Sequence, residues 1–160
     1  MTYYVKIIDH LGLVSGMCKE IGIAKIIDQA HAKQSKEKKI TYGQLVEAMI
    51  LNGLGFVGRT LHMYPEYFAD KPVERLLGEG IKAEYINDDA LGRCMDQLYE
   101  TGVSGLYQTL AVRVVELLGL PCEGLNLDST SMHVDGRYDN HDDDTQVIKL
   151  VRAVEITVQN

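Results

Sequence analysis

The sequence predicts a mainly α fold: an amino-terminal helical bundle over residues 1–121, followed over residues 122–160 by two or three β-strands of an incomplete second domain. Apolar residues recur at three-and-four spacing through most of the first 120 residues, the mark of helices with a buried face. Residues that open helices (Thr41, Asn87) and residues that stop them (Gly102, Gly119) bracket those runs. At Pro121 the apolar period changes from 3.6 to 2, the period of a strand.

The first helix is expected from about Ser15 to Ala32, where Val14, Met17, Ile21, Ala24 and Ile27 fall near one stripe. "KQSKEKKI" then breaks the pattern with the one basic cluster of the chain, Lys33, Lys36, Lys38 and Lys39. A solvated loop is the plain reading of that cluster and a phosphate contact the functional one. "TYGQLVEAMILNGLGF" opens with a capping box, Thr41 at the N-cap and Gln44 three residues on. Its apolar residues surround the helix, as in the central member of a bundle. Pro65 and Pro72 each suit a first helical turn, so two short helices follow, with Tyr64, Tyr67 and Phe68 in the core. "NDDALGRCMDQLYETG" starts at an Asn87/Asp88 cap, sets Leu91, Met95, Leu98 and Tyr99 on one stripe and stops at Gly102. Val103, Leu106, Leu110, Val114 and Leu117 then mark a second helix, ending at Gly119 and completing a helical hairpin. Beyond Pro121, "GLNLDSTSMHV" alternates, "DGRYDNHDDD" has a turn-and-loop composition and "TQVIKLVRAVEITV" is a β-branched run. Strands this few are marginal alone, so residues 122–160 are expected to be mobile or shielded by self-association.

Composition narrows the function classes. At 160 residues and 46% hydrophobic residues the chain is of ordinary globular make-up and large enough for a core. Three widely spaced cysteines, Cys18, Cys94 and Cys122, lie among apolar residues and fit buried thiols in a reducing cytoplasm. No apolar run approaches a membrane span, so a cytoplasmic protein without a membrane partner is expected. Net charge is −7, unlike a free-standing nucleic-acid binder. Residues 1–121 carry 13 Lys/Arg against 15 Asp/Glu and residues 122–160 carry 3 against 8, so the acidity belongs mostly to the tail.

Phosphate loops, dinucleotide glycine patterns, nucleophile elbows and paired CxxC motifs are absent. "DNHDDD" has the charge of a calcium loop but neither its mid-loop glycine nor its closing glutamate. What stands out is Asp128 in "LNLDSTSMHVDG". Alternation puts Leu125, Leu127, Ser129 and Ser131 on one face and Asn126, Asp128, Thr130, Met132 and Val134 on the other, so the carboxylate sits within a strand and not at a turn. A polar sheet edge accounts for it. So does a metal ligand, since a strand holds a carboxylate rigidly, but the spacing offers it no second acid.

The stretches "LGLVSGMCKEIGIAKIID", "GQLVEAMILNGLGFVGRTLHMYPEYFADKPVERLLGEGIKAEYINDDALGRCMDQLYETG" and "LNLDSTSMHVDG", in this order, closely resemble the amino-terminal part of a bacterial insertion-sequence transposase family of the DDE type. The similarity covers nearly all of residues 5–138, and "NGLGF", "KPVERLLGEGI" and "NDDALGR" are specific to it. The resemblance implies a helical domain, often catalogued as of unknown function, followed by the start of a ribonuclease-H-like α/β catalytic domain. It implies that Asp128 is the first acid of a triad holding Mg²⁺, with the other two beyond residue 160. The chain's last residues, "AVEITVQN", depart from the family's usual continuation. A one-base shift in suitable codons for Glu155 to Asn160 would instead read Arg-Asp-Asn-Arg-Pro-Glu, as the family does, so a frameshifted remnant is expected.

The resulting expectation is a truncated transposase fragment, catalytically incompetent alone, which binds no Mg²⁺ tightly. The alternative is a helical module that binds transposon-end DNA or pairs subunits, in a homo-oligomer or with full-length transposase as its regulator. Candidate DNA contacts are Lys33, Lys36, Lys38, Lys39, Arg59, Lys71 and Arg75.

Overall fold

The computed structural model describes residues 5–31, 39–56 and 58–120, which lie in one compact unit, Met1–Leu120. The described residues hold α-helices and short 3₁₀ turns and no strand. The strands expected after Pro121, and Asp128 with them, lie outside the described residues.

The single helix expected from Ser15 to Ala32 is two helices, α1 (Leu11–Ile21) and α2 (Ile23–Ala30). Gly22 breaks it with φ of +82°, a left-handed conformation open chiefly to glycine, and its N–H closes α1 on the Cys18 carbonyl at 2.9 Å. Apolar spacing carries on through the break, so Gly22 itself was the only local sign of it. Helix α1 also starts earlier, at Leu11, where no side-chain cap marks the boundary.

Helix α3 (Tyr42–Gly53) opens with the expected capping box: Gln44 N–H donates to Thr41 Oγ1 at 3.1 Å and Thr41 N–H to Gln44 Oε1 at 2.9 Å. It is the central helix, packed against α1, α2 and the short α5 (Val73–Leu77). Leu45, Ala48 and Leu51 are almost wholly buried. Two polar residues are buried with them, Glu47 and Asn52.

Helix α4 (Tyr64–Ala69) takes Pro65 in its first turn, and Pro72 stands at the N-cap of α5. Tyr64 and Phe68 are in the core, and Tyr67 is half-buried against Phe68 with its hydroxyl donating to the Leu51 carbonyl at 3.1 Å. Lysines fasten this region to the start of the chain: Lys6 Nζ donates to the Lys71 carbonyl at 3.1 Å and Lys19 Nζ to that of Arg75 at 2.8 Å.

Helix α6 (Asp88–Thr101) is capped by Asn87, whose Oδ1 accepts from Ala90 N–H at 2.9 Å, and stops at Gly102. Its buried stripe is Leu91 and Cys94 with Leu98 beside them; Met95 and Tyr99, expected on that stripe, are 40% and 69% exposed. Cys94 wins the inner position because its small thiol fits against α3, where Sγ reaches the Tyr42 carbonyl at 3.6 Å. Helix α7 (Val103–Leu118) ends at left-handed Gly119 and touches α1 and α2 as well as α6. None of its residues is buried, although only Arg113 and Glu116 carry charge.

Candidate functional site

The described polar chemistry gathers where α2 meets α3, and along the segment from Asn52 to Lys82. At the first place two carboxylates cap each other's helices. Gly22, as the N-cap of α2, has no side chain to offer the first amides, and Glu47 of α3 reaches across so that Ala24 N–H points at its Oε1 from 3.4 Å. Asp28 of α2 returns the contact, its Oδ1 accepting from Gly43 N–H at 2.8 Å in the first turn of α3. Burial pushes the Glu47 carboxyl above the usual range; the Ala24 amide and then Lys19 pull it back in part, and the Asp28 carboxylate adds the smallest push upward. Burial, then the charge of Glu47, raises the Cys18 thiol, so this cysteine is a poor nucleophile. Cys18 and Cys94 are both buried, as their apolar settings predicted; Cys122 lies outside the described residues.

The second place is organised by Asn52. Its Nδ2 donates to the Arg59 carbonyl at 2.9 Å and to Tyr64 Oη at 3.0 Å, and its Oδ1 accepts from Arg59 N–H at 2.8 Å. One buried amide thus ties the far end of the loop after α3, and the start of α4, back to α3. Of the proposed DNA contacts, this arrangement brings Arg59 and Lys71 to one hollow of about 410 Å³, which Asp9, Glu66 and Asp70 also line. Lys71 is held there: Nζ lies 3.1 Å from Asp70 and 4.2 Å above the Tyr67 ring, with its side chain 16% exposed. Phe56, on the rim, packs its ring against His10 at a tilt of 55° with centroids 4.2 Å apart.

The other proposed contacts stand elsewhere. Exposed Arg75 lines a hollow of about 470 Å³ with Lys6 and Lys82. Lys39 lines a third hollow with Arg93 and Glu84, its Nζ 5.1 Å from the centre of the Tyr85 ring. Lys33, Lys36 and Lys38 lie outside the described residues. Sequence reading missed Lys6 and Arg93 because each meets its cationic neighbour, Arg75 or Lys39, from a distant part of the chain, and missed Lys82 because the turns between it and Arg75 carry no basic pattern. Glu47 and Asn52 did carry a signal, a polar residue within an apolar run.

Among the described residues no cluster of three or more His, Cys, Asp or Glu could hold a metal ion. The Mg²⁺ expectation rests on Asp128, outside them. No described helix is long and apolar enough to cross a membrane.

A family model for a domain of unknown function, DUF4277, matches residues 3–112. No curated protein and no solved structure matches the chain. The match takes in α1 to α6 and the greater part of α7, and the chain belongs to the DUF4277 family.

Proposed function

We propose that this chain serves DNA transposition as the amino-terminal portion of a DDE-type insertion-sequence transposase, and that residues 1–160 do not cut or join DNA by themselves. The observation that carries the reading is the ordered run of "NGLGF", "KPVERLLGEGI", "NDDALGR" and "LNLDST". In that family pattern Asp128 is one of three acids that together hold Mg²⁺ to activate a water or 3′-hydroxyl and to neutralise charge on the scissile phosphate. One carboxylate does not make that site, and the helical unit's buried acid, Glu47, is spent on capping α2.

Within this reading the helical unit suits subunit pairing better than tracking a phosphate backbone. Arg59 and Lys71 share their hollow with three carboxylates, and Lys71 is shielded. The whole surface of α7, by contrast, is nearly uncharged. The protein acts on this reading in the cytoplasm, by joining an intact transposase and altering its activity.

The test is an excision assay with an intact relative and its transposon-end DNA in Mg²⁺. The chain alone is expected to leave the DNA uncut, and together with the relative to co-purify and change the excision rate. Nicking by the purified chain overturns incompetence; a chain that neither co-purifies nor changes excision overturns the role in transposition.

A further inference from the structure

We infer that the hollow lined by Lys6, Arg75 and Lys82 binds a phosphate monoester group. Lys6 comes to it from before α1, and Arg75 and Lys82 from α5 and the turns that follow. Lys6 is fixed in place: its Nζ donates to the Lys71 carbonyl at 3.1 Å and to that of Ala69 at 3.5 Å, and an ammonium held by two carbonyls has a third N–H to offer. Arg75 is exposed, and among the described residues no carboxylate is in ion-pair contact with it or with Lys6. Lys82 has Glu84 at 4.0 Å, but the two side chains are 65% and 69% exposed, so the pair is weak and a ligand can displace it. Glu74 is the one acid on the lining, and its Oε1 accepts from Gly80 N–H at 3.1 Å.

This balance runs against that of the chain. With 23 Asp and Glu against 16 Lys and Arg, the sequence does not lack acids to set beside its cations, yet this hollow has three cations and one acid. The hollow of Arg59 and Lys71 has two cations and three acids.

The donors select the ligand. Arg75 offers a planar fork of N–H groups that matches two oxygens at once, and each lysine adds a point charge. A phosphate monoester carries three terminal oxygens and close to two negative charges at neutral pH, enough to give each cation an oxygen. A carboxylate, or a phosphodiester within a nucleic-acid strand, has two such oxygens and one charge. The volume, about 470 Å³, is that of a small-molecule site, and the buried side chains of Phe68, Val73 and Ile81 give the rest of the wall an apolar character that suits the organic body bearing the phosphate. Such a group occurs on a free nucleotide and at the 5′ end of a DNA strand.

The inference does not depend on transposition. A chain that binds phosphate and leaves excision unchanged would remove the transposition role alone, and one that changes excision without binding phosphate would remove this site alone.

The experiment is an amide NMR titration of the full 160-residue chain with AMP, with adenosine, and with a short DNA duplex carrying either a 5′-phosphate or a 5′-hydroxyl. AMP is expected to shift amides near Arg75 and Lys82 saturably and adenosine to leave them in place. Arg75→Glu and Lys82→Glu are each expected to weaken AMP binding by more than about tenfold with helical circular dichroism intact. Lys25→Glu, at an exposed position on α2, makes the same change in net charge and is expected to bind AMP like the native chain. Lys6 is left unchanged because its ammonium also fastens the start of the chain. Capture of the 5′-phosphorylated duplex but not the hydroxyl one would identify the source as a DNA end, and capture of AMP alone a free phosphate monoester; either supports the site. No saturable shift with AMP below about 10 mM overturns it, as do equal losses in Lys25→Glu or unchanged binding in Arg75→Glu and Lys82→Glu. Equal binding of the two duplexes overturns the assignment to a monoester.

Discussion

Asp28 and Gly43 join two helices through a single hydrogen bond: Oδ1 of the first accepts from N–H of the second at 2.8 Å. With Glu47 reaching toward Ala24 in the opposite sense, α2 and α3 cap one another, and neither start has to be satisfied by solvent alone. Asp28→Ala is expected to cost about 1 kcal/mol in urea unfolding, with Asp28→Asn costing less because it keeps an acceptor. Equal losses for the two variants would mean that the oxygen is not what matters.

Gly43 has a second role at the same crossing. A Cβ added there would stand 2.5 Å from Ala24 Cα and closer still to its carbonyl oxygen, so the two backbones touch where any side chain would part them. Gly43→Ala should therefore lower stability by about 2 kcal/mol or more in thermal unfolding. Gly92, inside α6, has open space around its Cα, and Gly92→Ala should raise stability by about 0.5–1 kcal/mol. The same substitution thus has opposite signs at two helical glycines.

Glu47 makes the stability of the helical unit depend on pH. Its folded carboxyl is raised above its unfolded value, chiefly by burial, so the folded state holds the proton more tightly. The stability this gives is fully present below the unfolded value and is lost as pH rises through the higher folded value. Unfolding followed by circular dichroism from weakly acidic to neutral pH should show that decline in the native chain and a flatter profile in Glu47→Gln. At neutral pH Glu47→Gln should be the more stable by on the order of 1 kcal/mol, since it avoids burying a charge and keeps an acceptor for Ala24. A Gln variant with the native slope would locate the pH dependence elsewhere.

Asn52 should be costly to lose. Asn52→Ala removes three hydrogen bonds and leaves the Arg59 amide and carbonyl and Tyr64 Oη without this partner, at a cost of about 2–3 kcal/mol. Hydrogen exchange should report it first at Arg59, whose amide proton is held by Asn52 Oδ1; unchanged protection there would show that the loop stands without the clamp.

Much of the helical unit could be read from the sequence because its signals are local. The Thr41 capping box, the Asn87 cap, the stops at Gly102 and Gly119 and the short helices at Pro65 and Pro72 each depend on residues within a turn of one another. Periodicity was right about α3 being central and wrong where it ran across Gly22, because spacing counts residues and does not register a left-handed backbone. It chose Met95 and Tyr99 as inner residues on hydrophobicity, where packing against α3 favoured the smaller Cys94.

The candidate site was less legible. Glu47 and Asn52 were visible as polar residues in an apolar run, but what they hold depends on Ala24 and Arg59 arriving beside them. The cations Lys39, Arg59, Lys71 and Arg75 could be named from sequence, yet their division among separate hollows, and the carboxylates beside Arg59 and Lys71, come from chain crossings that no local pattern encodes. The sequence by itself determined the helices, their caps and the family motifs, since these are set by neighbours along the chain. Only the tertiary structure decided which polar groups are spent on holding helices together and that no residue of α7 is buried, because burial is a property of what packs against a residue and not of the residue.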